Sequence, residues 1–221
     1  MWTEQEIMMI LQGLWETIII VGVSTFFGYV LGLPLGVLLA VTDSDGIKPH
    51  PVLYKILDFV TNILRSVPFI ILLVVLIPLT RAIVGKSYGT AATIVPLVIA
   101  AAPFIGRMVE SSIKEVDHGV IEAAQSMGAG TFKIIWNVLL AEARTSLLVG
   151  VTIAFGTILG YSAMAGAVGG GGLGSIAIRY GYNRWQPNIL WPCVIILVML
   201  VQLFQVLGMK ISKDLDRRKT G

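Results

Sequence analysis

The stretch Leu14–Val41, "LWETIIIVGVSTFFGYVLGLPLGVLLAV", carries one charged residue, Glu16, in an otherwise apolar run. A helix needs about 20 such residues to cross the hydrocarbon core of a bilayer, so this run is long enough to span one. Further apolar runs follow at about 52–79, 88–109, 147–167 and 189–207. The composition agrees, with 56% hydrophobic and only 13% charged residues, the latter about half the charged share of an ordinary soluble domain. The reading is an all-α polytopic membrane protein, one transmembrane domain over residues 1–221 with five spans. The N-terminus "MWTEQEIMMILQGLWET" lacks a basic start, so no cleaved leader is expected.

Several function classes fall away on the same grounds. The basic residues are scattered between apolar runs, which argues against nucleic acid as a partner. Cys193 is the single cysteine and lies in an apolar run, so it reads as a small buried hydrophobe. His50 and His118 are far apart and show no metal-ligand spacing. No nucleophile–base or carboxylate-pair arrangement suggests catalysis within the chain.

Orientation follows from lysine and arginine in the connections. Lys48 and Lys55 follow span one. Arg107, Lys114, Lys133 and Arg144 lie around the connection between spans three and four. Lys210, Lys213, Arg217, Arg218 and Lys219 lie in the tail, 208–221. The opposite side holds Arg81, Lys86, Arg179 and Arg184. The bias predicts the N-terminus outside and the C-terminus in the cytoplasm, with lipid around the spans.

Within span one, Gly28, Gly32 and Gly36 are four apart and share a helix face, where a second backbone comes close. In span two, Asp58, Asn62 and Arg65 are spaced i, i+4, i+7 and form a polar stripe. Charge facing lipid is costly, so the stripe faces protein or water. It is either a packing cluster, with Arg65 as partner to Asp58 and Asn62, or the wall of a translocation pathway. Span four ends in "GYSAMAGAVGGGGLG", which lacks the Gly-Lys-Ser/Thr of a phosphate loop. Its glycines suit tight backbone packing or a re-entrant turn. Met164 just before them is a candidate gate, or a residue of the core.

The longest inner connection, about 110–146, contains "IEAAQSMGAG" from Ile121 to Gly130. Ile113, Val116, Val120, Ala124 and Met127 recur at helical spacing. Gly119 marks a break, leaving a helix from about Val120 to Met127. Gly128 fits the left-handed position after a helix, and Thr131 an N-cap for the next. Glu122, Ala123, Ala124, Met127 and Gly128 present either a small docking face for another protein or an ordinary solvated helix.

This stretch resembles the EAA loop of ABC importer permeases in Glu122, Ala123, Ala124 and Gly128. It departs at Val138, where the family has isoleucine, and at Ala141, where it has proline; Leu140 matches. "RSVPFIILL", "AAPFIGRMVE" and "GYSAMAGAVGGGGLG" resemble the methionine permease subunits of bacterial type I ABC importers, over nearly the whole chain. The resemblance implies an inner-membrane permease working with a second copy of itself. It also implies a cytoplasmic pair of ATP-binding subunits and an external methionine-binding lipoprotein. ATP and magnesium would belong to the ATPase, with no cofactor in this chain and Glu122–Gly128 as the coupling site. Permeases for another amino acid or small solute are the alternative, and secondary transporters a more distant one.

Overall fold

A run of glycines on α1 (Glu4–Thr42) sets the central packing of this computed structural model, which describes residues 3–215. A Cβ added at Gly32 would lie 2.7 Å from the Ala102 carbonyl oxygen, and one at Gly36 would lie 2.4 Å from that of Gly106. Both carbonyls belong to α5 (Thr90–Lys114). The predicted small-residue face is therefore where α1 and α5 meet backbone to backbone. Ile20, Val21, Leu97, Ala101, Ile105 and Val109 fill the buried core along this seam. Helix α1 continues through Pro34 and starts ten residues before the expected Leu14. Thr3 and Glu6 close its first turn reciprocally, Glu6 N–H on Thr3 Oγ1 at 3.3 Å and Thr3 N–H on Glu6 Oε2 at 2.9 Å.

Span two is not one continuous helix. It is α2 (Pro51–Ser66), α3 (Phe69–Val75) and α4 (Ile77–Val84), with a bend of 100° between the first two. Pro68 explains the break: its ring drives the preceding Val67 out of the helical region, to φ −77° and ψ 124°. Helix α2 starts where His50 Nδ1 accepts the Leu53 N–H at 3.2 Å.

After α5 comes the short α6 (His118–Ser126). The chain returns through α7 (Thr131–Ile134), a π-helical turn Ile135–Leu139 and α8 (Leu140–Glu142) into α9 (Arg144–Ala165). The glycine turn then leads to α10 (Gly172–Ile176), a second π-helical turn Ala177–Tyr182 and α11 (Pro187–Leu215). At the glycine turn the chain folds back on itself. A Cβ at Gly166 would lie 2.3 Å from the Gly174 carbonyl carbon, and one at Gly174 would lie 2.5 Å from the Ala163 oxygen. Gly169, Gly171 and Gly172 have φ of 82°, 82° and 69°, a region open to few other residues. The turn is pinned to α5 by the Thr93 hydroxyl on the Gly170 carbonyl and by Gly89 N–H on the Gly169 oxygen at 2.9 Å.

Among the described residues, four segments are long and apolar enough to cross a membrane, Glu4–Thr42, Thr90–Lys114, Arg144–Tyr182 and Pro187–Asp214, and the bent α2–α3 pair, taken as one span, makes a fifth. The protein is an all-α, multi-pass membrane protein. Cys193 is fully buried, in a second cluster with Ile10, Leu173 and Ile189. The basic residues Arg217, Arg218 and Lys219 of the tail lie outside the described residues.

Candidate functional site

Helix α6 is built to show one face and hide the other. Asp117 caps it, its side chain accepting the Gly119 N–H at 2.7 Å. Gly119 thus lies inside the first turn and does not break the helix, which begins at His118 rather than Val120. Ile121 and Ala124 are buried, in one cluster with Val116, Ile134 and Leu139. Glu122, Ala123, Gln125 and Ser126 are exposed, as is Met127 at 81%. Ala124, read from sequence as part of the outward face, is instead an anchor.

Gly128 ends the helix with φ 76°. Its N–H donates to the Gln125 carbonyl at 2.9 Å, and the Ala129 N–H reaches back to Ala124 at 3.1 Å. This is a Schellman closure, and it needs the left-handed residue at Gly128. The return helix starts one residue earlier than a Thr131 cap would require. Gly130 takes the cap position, with no side chain to offer, and Thr131 is the first helical residue. Val138 lies in the π-helical turn that follows. Phe132 and Trp136, four apart, are 77% and 64% exposed. Neither stood out in the sequence, where they read as part of an apolar helix.

A chain of charges ties this end of the molecule together. On α5, Arg107 pairs with Asp58 and donates to Asn62 Oδ1 at 3.0 Å and to Glu110 Oε2 at 2.7 Å. Glu110, 4% exposed, also accepts from Lys114 at 2.8 Å and from the Tyr54 hydroxyl at 3.3 Å. Lys114 continues to Asp43 at 2.6 Å, at the end of α1. That ammonium holds the Asp43 carboxyl below its ordinary range. A buried carboxylate is tolerable only when paired and hydrogen-bonded, and Glu110 has two cations and a phenol. The stripe on α2 therefore finds its cation on α5. Arg65 is exposed and takes no part, contrary to the expected pairing within α2. Met164 sits in the last turns of α9, 50% exposed. The structure does not bring it near the charge chain, which lies toward the other ends of α1 and α5.

Residues 32–220 match the family model described as binding-protein-dependent transport system inner membrane component. The probable D-methionine transport system permease protein MetI of Vibrio cholerae serotype O1 is 47% identical over 210 residues, covering 95% of this chain and 93% of that protein. The D-methionine transport system permease protein MetI of Escherichia coli K12 is 49% identical over 164 residues, covering 74% of this chain and 76% of that protein. A solved structure of the MetNI methionine ABC transporter in inward facing conformations superposes with a TM-score of 0.96 at 47% identity, over 98% of this chain and all of that one. At 18% identity, a crystal structure of an amino acid ABC transporter with histidines shares the fold, with a TM-score of 0.72. A family match across most of the chain, on a frame of apolar membrane-length helices with an exposed loop helix, places the chain in the family of binding-protein-dependent transport system inner membrane components.

Proposed function

We propose that this chain is the membrane permease of an ATP-driven methionine importer, working as a pair of identical subunits on a pair of separate ATPase subunits. The similarity to methionine permeases along nearly the whole chain supports the substrate class, and ATP hydrolysis belongs to the partner. The family description supports an external binding protein, here a methionine-binding lipoprotein. The lysine and arginine bias supports an outer N-terminus and a cytoplasmic C-terminus.

The observation that carries the coupling role is the split character of α6. Ile121 and Ala124 fasten it to the core, while Glu122, Ala123 and Met127 are left exposed beside the Gly128 turn. A helix so held passes a push on its outer face to α7 and the π-helical turn Ile135–Leu139, and through α8 to α9. Small Ala123 lets a partner surface approach, Glu122 offers it a charge, and exposed Phe132 and Trp136 extend the apolar area. Met164 and the exposed part of the Asp58, Asn62 and Arg65 stripe face the pathway between the two copies.

The test is a bulky residue at the point of closest approach. Ala123→Trp leaves the helix anchors untouched, so insertion and expression persist. Overpacking a fitted contact costs about 1–3 kcal/mol, so ATP-dependent methionine uptake by the purified complex falls by about 5–150-fold. Co-purified ATPase falls with it, or ATP is hydrolysed without transport. Full ATPase content with normal uptake would show α6 to be a solvated helix with no docking role.

A further inference from the structure

Where α1 begins, a cavity of about 420 Å³ opens between α1, the start of α5 and the glycine turn. Two opposite charges from distant parts of the chain line it, Glu16 and Arg179. Glu16 is held in place: Gln12 Nε2 donates to one carboxylate oxygen at 3.2 Å, and the Gly172 N–H to the other at 2.8 Å. Each oxygen keeps a further lone pair for a ligand. Arg179 is exposed and, among the described residues, has no hydrogen bond or ion pair. Tyr88, Tyr180 and Met9 supply apolar wall. The space is kept open by the lack of a side chain at Gly171, where a Cβ would stand 3.0 Å from Thr90 Oγ1 and 3.3 Å from the Glu16 carboxylate.

A free α-amino acid presents one ammonium and one carboxylate. Taking it out of water demands a partner for each, and a guanidinium fork matches a carboxylate. Ligand cavities of a few hundred Å³ with an apolar lining and a few aimed polar groups hold small molecules. We propose that this cavity is an entry site for a zwitterionic amino acid with an uncharged side chain, Arg179 taking its carboxylate and Glu16 its ammonium. The inference rests on the function and orientation proposed above, which put the cavity on the outer face. Solute released from the binding protein would pause there before entering the pathway.

The experiment uses the permease–ATPase complex in lipid nanodiscs, without binding protein, and measures binding of radiolabelled methionine. Competitors are unlabelled methionine, its methyl ester and N-acetylmethionine. The variants are Arg179→Gln, at an exposed position, and Glu16→Gln, which keeps an acceptor for the Gly172 N–H. Losing one charged hydrogen-bond partner weakens methionine binding by about tenfold or more in each. The preference for methionine over its ester disappears in Arg179→Gln alone. The preference over N-acetylmethionine disappears in Glu16→Gln alone.

Unchanged affinity in both variants would overturn the assignment. So would a loss confined to capture of the binding protein, which would make the two charges a docking contact for that protein. Wild-type methionine uptake with binding protein present is measured separately. If uptake fails while the charge-selective binding persists, the cavity assignment stands and the transport reading falls.

Discussion

Removing the guanidinium of Arg107 would take a partner from three groups at once, Asp58, Asn62 and buried Glu110, leaving Glu110 only Lys114 and the Tyr54 hydroxyl. Breaking a buried pair costs about 3–5 kcal/mol when the remaining charge is left uncompensated, and less here, where Glu110 keeps Lys114 and Asp58 is partly exposed. Arg107→Leu is therefore expected to lower the thermal unfolding midpoint of the purified complex by several degrees and to cut its yield. Arg65→Leu, at an exposed position outside the cluster, should stay within about 0.5 kcal/mol of the parent. Equal midpoints for both variants would mean the ion pairs contribute nothing. The polar stripe on α2 was legible from i, i+4, i+7 spacing, but its partner was not. Spacing reports which residues share a face and is silent on which helix covers that face. Glu110 escaped notice for a related reason: it stands where the apolar run ends, and the sequence placed it at the start of the inner connection, whereas α5 continues to Lys114. The pair Glu16 and Arg179 is 163 positions apart and becomes a pair only through the fold-back at the glycine turn.

At the scale of elements, the glycine face of α1 was legible because a four-residue repeat survives any choice of partner. The structure adds that α5 is the partner and that no room remains. Gly36→Ala places a methyl 2.4 Å from the Gly106 carbonyl oxygen, so backbone must move apart. Overpacking of this kind costs about 1–3 kcal/mol, and the variant complex should melt earlier. Gly22→Ala on the same helix meets nothing within 4 Å and should melt no earlier than the parent. Matching losses at both positions would show that helix propensity, not the close approach, governs the response. The bend in span two was written in Val67–Pro68 and overlooked because the apolar run continues across it. The two π-helical turns left no mark at all: one extra residue per turn changes neither composition nor the short-range apolar pattern.

For the whole molecule, the expected path of the chain through the membrane can be read with thiols. Cys193 is the single cysteine and is fully buried, so a Cys193→Ser parent gives a silent background. Lys86→Cys, exposed between α4 and α5, should react with an impermeant maleimide added to intact spheroplasts. Ser44→Cys, exposed between α1 and α2, should react only after the membrane is opened. The reverse pattern would invert the orientation and move α6 away from any cytoplasmic ATPase. Five apolar runs were enough to reach a multi-pass helical frame, because bilayer thickness and backbone hydrogen bonding leave few ways to cross; the charge bias adds an expected orientation, which the thiols test.

The length of α1 has its own consequence. At 39 residues and 1.5 Å per residue, it is a rod of about 58 Å, against a hydrocarbon layer of about 30 Å. Even a steep tilt leaves whole turns outside the oil. The end bearing Glu4, Gln5 and Glu6 therefore stands among lipid headgroups or above them. A thinner or thicker bilayer would change how many of these turns stand outside the oil, and α1, locked backbone to backbone on α5, could lean only together with that helix.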